Sequence, residues 1–141
     1  MTSDPQAAKT QEAMIHLMVT VSASDSDMTD RELAKMGDVV RTMPVFSGFD
    51  PDSLLDVAKK SQQLMQQDGA LGDLLSSIVD LIPPRLRDTA YAIAVEIAAA
   101  DLSVRPEEQR ILQLLRGHLG VDTLTAAAIE RAAIIRHRTM V

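Results

Sequence analysis

The sequence predicts an all-α fold of seven helices, and three observations carry that expectation. Long segments place apolar residues at helical spacing, and no stretch alternates apolar and polar side chains as a half-buried strand would. Proline and glycine also fall where helices would begin or end. The 141-residue length suits a single domain, 1–141, that can bury roughly 68% of its unfolded surface.

Each element has its own signals. A first helix is expected from about Gln6 to Ser24, with Met14, Leu17, Met18 and Val21 as its apolar stripe. A second begins near Thr29, carries Leu33, Met36 and Val40, and stops before Pro44, because a residue preceding proline avoids the helical region. Asp50-Pro51 reads as an N-cap followed by the first helical position. The third helix that it opens uses Leu54, Leu55, Val57, Ala58 and Leu64, and ends near Asp68-Gly69. The fourth spans about Leu71 to Leu81 and is closed by Pro83-Pro84; the fifth runs from about Pro84 to Ala100. The sixth covers about Pro106 to His118, with Gly120 as its C-terminal punctuation. The seventh, about Thr123 to His137, offers Leu124, Ala127, Ala128, Ile129, Ala132 and Ile135 as its apolar face. Its closing Arg136-His137-Arg138 puts cations where the helix dipole favours them.

Composition removes several function classes. Fourteen basic and 20 acidic residues give a net charge of −6 without a basic tract, which argues against nucleic acid and anionic lipid as partners. The absence of cysteine excludes disulfides and thiolate metal sites. Aromatic content of 2% excludes a base-stacking platform. The most apolar window, Tyr91 to Ala100, is interrupted by Glu96 and falls far short of the ~20 residues of a membrane span. Residues 1–14 lack the basic start and hydrophobic run of a signal peptide, so the cytoplasm is the expected location.

The chain repeats itself with an offset of 76 residues, giving halves of about 6–68 and 84–138. Val19 falls on Val95, Ala23 on Ala99, Asp25 on Asp101 and Glu32 on Glu108, while apolar positions such as Leu17 and Ile93 also correspond. Each copy is an apolar helix, a joint carrying Asp and then Glu seven residues later, and a second helix. A pseudo-twofold arrangement of the two helical hairpins is expected.

Two readings of the joints stand side by side. In the first, the acids are punctuation: Thr29-Asp30-Arg31-Glu32 has capping-box spacing, Pro106 and Glu108 fit the same frame, and Asp25 and Asp101 end the preceding helices. In the second, symmetry brings Asp25, Glu32, Asp101 and Glu108 into one acidic cluster, whose mutual repulsion a hard cation such as Ca²⁺ or Mg²⁺ would relieve. Asp27 could add an oxygen in the first joint, but Ser103 replaces it in the second. The run from Asp25 is not an EF-hand loop, because Asp30 stands where glycine is required and Met36 where glutamate is required.

The two copies, Ser22-Ala23-Ser24-Asp25-Ser26-Asp27-Met28-Thr29-Asp30-Arg31-Glu32 and Ala98-Ala99-Ala100-Asp101-Leu102-Ser103-Val104-Arg105-Pro106-Glu107-Glu108, resemble the doubled acidic motif of the TerB family of tellurite-resistance-associated proteins. The resemblance extends from about Glu12 to Arg138 and includes Leu119-Gly120-Val121. It implies a seven-helix pseudo-symmetric fold and divalent metal at Asp25, Glu32, Asp101 and Glu108. It also implies a cytoplasmic role in tellurite or other chemical stress. The family glycine after each Asp is Ser26 in one copy and Leu102 in the other. A leucine held in the left-handed region costs about 1 kcal/mol or more.

No other motif supports catalysis, so a non-enzymatic protein is expected. Phosphate loops, HExxH and G-x-S-x-G are absent, and no serine has a base indicated by motif. His16 reads as a packed helix residue, while His118 and His137 sit near helix C-termini. Glu96 reads as the solvent edge of a nearly buried helix, and the eight methionines as core. The alternative function is a protein–protein interaction module whose acids only cap helices.

Overall fold

The computed structural model describes residues 5–22, 29–66, 71–99 and 106–140. The described residues contain seven α-helices and no strand: α1 Pro5–Ser22, α2 Asp30–Thr42, α3 Leu54–Gln66, α4 Leu71–Val79, α5 Arg87–Ala99, α6 Pro106–Leu119 and α7 Thr123–Arg136. The all-α expectation therefore holds. Two expected helix starts are tighter than an α-helix. Pro51–Ser53 and Pro84–Leu86 are 3₁₀ turns that lead into α3 and α5. Asp50 caps the first of these by accepting the Asp52 N–H at 3.0 Å. The expected ends of the first and third helices, at Ser24 and Asp68-Gly69, lie outside the described residues.

Helices α1 and α5 form the centre. Their apolar residues are not confined to one stripe, and a helix apolar nearly all round is stable in water only when covered nearly all round. Every α1 residue from Ala13 to Ser22 is buried, as are Ala90, Tyr91, Ile93, Ala94, Val95, Ile97 and Ala98 of α5. Helix α1 packs on α3, α4, α5 and α6, and α5 packs in addition on α6 and α7. Helix α1 pairs most extensively with α3, and α5 with α1 and α7.

The Gly120 end signal acts as the sequence predicts. Gly120 takes φ +69°, and its N–H and that of Val121 both return to the Arg116 carbonyl, closing α6 in a turn that a side chain at Gly120 would strain. Asp122 caps α7 by accepting the Thr125 N–H at 3.3 Å.

The expected face of α7 is not the one it buries. Ala126 and Ala133 are buried and Ile129 packs partly on the core, whereas Leu124 and Ile135 are 79% and 49% exposed. Helix α7 lies along α5, and the small alanines allow a close approach there. Leu55, expected in the core, is likewise exposed.

The polar groups buried along α1 are matched by acceptors or donors, as groups removed from water must be. The Gln11 amide donates to the carbonyls of Val45 and Ser47, tying the α2–α3 connection to α1. Thr20 and Ser22 return their hydroxyl protons to the carbonyls of His16 and Met18. His16 Nδ1 meets the buried Ser61 hydroxyl, which itself donates to the Val57 carbonyl. Since Ser61 has one proton to give, Nδ1 carries the hydrogen in its bond to Oγ.

Burial holds the His16 pKa below its ordinary 6.5; Glu12 opposes the shift and Lys60 adds to it. The unfolded chain therefore takes up a proton that the folded chain refuses, and stability falls as pH drops below about 6.5. Urea midpoints should decline from about pH 7.5 to about pH 5.5. His16→Asn, which keeps an N–H donor, should flatten that limb at an overall cost on the order of 1 kcal/mol. Parallel profiles for the two proteins would contradict this assignment.

Candidate functional site

The first joint delivers the chain into α2 through Thr29, which has extended geometry (φ −79°, ψ 160°). Its hydroxyl accepts the Glu32 N–H at 3.1 Å and donates to Glu32 Oε1, also at 3.1 Å. The capping spacing is thus used, with a difference: the Glu32 carboxylate takes the Thr29 hydroxyl proton, where an ordinary capping box would have it take the N-cap amide. The second carboxylate oxygen, Glu32 Oε2, is buried and has no hydrogen-bond partner among the described residues. A carboxylate oxygen removed from water ordinarily has a donor or a cation beside it.

The second joint delivers the chain into α6, which begins at Pro106. Glu108 is the third residue of α6, as Glu32 is the third residue of α2. Glu108 is 3% exposed, deeper than a residue serving only to cap a surface helix needs to be. The other two expected ligands, Asp25 and Asp101, lie outside the described residues, as do Asp27, Ser103 and the positions of the missing glycines, Ser26 and Leu102. Among the described residues, no three His, Asp or Glu side chains are grouped closely enough to hold a metal. What the structure places is one carboxylate at the same helical position in each joint.

A second polar cluster escaped sequence reasoning. Glu96 of α5 accepts hydrogen bonds from the Arg136 guanidinium and, at 2.7 Å, from His137 Nε2, which therefore carries its hydrogen. It is a bridge between α5 and the end of α7, where the sequence reading made it a solvent edge and His137 a dipole partner. Burial works to raise the Glu96 pKa, but the bonds from Arg136 and His137 outweigh it and leave the carboxyl below its usual value. One pair further along, the Tyr91 hydroxyl donates to Glu130 at 3.2 Å, and burial together with that carboxylate pushes the phenol up to about 12. Both signals were visible in sequence, as a lone acid in an apolar helix and a basic run at a helix end. Their partnership spans 40 residues, and no spacing rule reaches that far.

The Thr29 geometry yields a direct test. Thr29→Ala removes both the acceptor for the Glu32 amide and the donor to Oε1, and should destabilise the chain by about 0.5–2 kcal/mol with chelator present. Urea denaturation measures this, and an unchanged midpoint would show that the cap contributes nothing to α2.

No helix among the described residues is long and apolar enough to cross a membrane. Comparison with curated proteins and with solved structures finds no significant match. A family model described as "Tellurite resistance protein TerB" matches residues 11–131, from the middle of α1 into α7, so that both joints and all four acids fall within the match. A match over that much of the chain settles its kinship, and the chain belongs to the TerB family.

Proposed function

We infer that this chain is a non-enzymatic protein that holds a divalent cation, Ca²⁺ or Mg²⁺, through Asp25, Glu32, Asp101 and Glu108. We place it in a cytoplasmic response to tellurite or related chemical stress. The observation that carries the reading is the buried Oε2 of Glu32, unpartnered among the described residues. A carboxylate oxygen withdrawn from water needs a donor or a cation, and a hard cation with oxygen ligands suits a site built only of Asp and Glu. The same helical position of the deeply buried Glu108 supports a matching contribution from the second joint. The cation would supply charge neutralisation and a tie between the two joints. The His16–Ser61 contact supports the non-enzymatic part, since both side chains are buried and the serine proton is committed to a backbone carbonyl.

The competing reading is an interaction module whose acids only cap helices, and the Thr29–Glu32 bonds are what favour it. Thermal melts in chelator and in excess Ca²⁺ or Mg²⁺ separate the two. At a hundredfold excess over Kd, bound cation should stabilise the folded chain by about 2.7 kcal/mol. Asp25→Asn should abolish that gain while leaving the chelated protein at least as stable as the parent, because it relieves repulsion among the acids. Asp101→Asn should have a smaller effect, since Leu102 follows it where the family has glycine. Melting points that ignore both cations in all three proteins would leave the capping reading.

A further inference from the structure

A cleft of about 420 Å³ lies between α2 and α5 beside the end of α7, away from the Thr29 cap. Its volume falls within the roughly 300–1,000 Å³ typical of small-molecule sites. Val39 and Met43 on one side and Ile93 and Ile97 on the other give it an apolar lining, while Lys35 and Arg136 add cationic groups. The register explains the construction. Lys35, Asp38, Val39 and Thr42 share one face of α2, and Ala92, Ile93, Glu96 and Ile97 share one face of α5.

Two cations, Lys35 and Arg136, and two carboxylates, Asp38 and Glu96, line this cleft. Asp38 pairs with Arg41 at 3.7 Å, and Glu96 is held by Arg136 and His137. Both acids of the lining therefore have cationic partners. Lys35 has neither a hydrogen bond nor an ion pair among the described residues. Arg136 directs one terminal nitrogen to Glu96, and a guanidinium has five N–H donors. The lining thus combines an aliphatic surface with one cation, Lys35, that has no partner among the described residues and with spare guanidinium donors.

We propose that this cleft binds a small amphiphilic carboxylate, with its aliphatic body on Val39, Met43, Ile93 and Ile97 and its head group on Lys35 and Arg136. The apolar surface supplies the gain from burial, and the charge selects an anionic head over a neutral or cationic one. A carboxylate can take the ammonium and the free edge of the guanidinium together. The site is separate from the acidic joints, so it stands or falls independently of cation binding there.

The test is isothermal titration of the full chain, in chelator, with decanoate below its micelle concentration. Decanol and decyltrimethylammonium serve as controls for the tail alone and for the opposite head charge, and acetate for the head alone. Decanoate should bind saturably with one site per chain, at least tenfold more tightly than any control. Lys35→Met, at a partly exposed position, should weaken decanoate at least tenfold and leave its margin over decanol correspondingly reduced. Ala92→Trp, which fills the cleft from a half-buried position, should abolish binding while the melting point confirms a folded chain. Equal affinity for decanoate and decanol, no saturable decanoate binding, or undiminished binding in Lys35→Met would each overturn the proposal.

Discussion

The contact between α1 and α5 is the constraint on which the rest of the structure depends. Both helices are apolar over nearly their whole circumference, so neither could remain in water alone. Packing them together still leaves their other sides to be covered. Helices α3, α4 and α6 cover α1, while α6 and α7 cover α5. The polar atoms within α1 are fixed by the same burial. Gln11, His16, Thr20 and Ser22 all find partners inside the protein because water cannot reach them.

That constraint also explains the contrast between the two kinds of acid. Glu96 sits on the central helix α5, but it is fully engaged by Arg136 and His137, and its charge is spent on fastening the end of α7. Glu32 sits at the start of a peripheral helix, yet one of its oxygens is enclosed without a partner among the described residues. An enclosed carboxylate oxygen at the first turn of a helix feels the positive end of the dipole, which softens the cost without replacing a bond. Glu32 is in this respect chemically distinct from Glu96, although both belong to the same surplus of negative charge.

Much of the architecture was legible in the sequence because its signals are local. Pro44, Pro51, Pro84, Pro106 and Gly120 mark helix boundaries through backbone geometry alone, and the observed ends fall close to them. The stripe of α2 was readable because Met36 and Val40 stand out against charged neighbours. Helix α7 was not readable in this way. Its alanines and isoleucines lie on all sides, so periodicity could not choose a face, and the close fit of Ala126 and Ala133 on α5 decided it. The bridge from Glu96 to Arg136 and His137 was out of reach for a different reason, since it depends on how two distant helices pack. In the candidate site, the capping geometry of Thr29 was visible from spacing, whereas the burial of Glu32 Oε2 and Glu108 emerges only from the tertiary fold.

The account rests on the two joints acting on one cation, and paramagnetic NMR measures that most directly. Substoichiometric Mn²⁺ should broaden the amide resonances of residues 29–33 and 107–110 together, while those of α4 and the last turn of α7 stay sharp. Broadening at one joint alone, or spread evenly over the acidic surface, would contradict it.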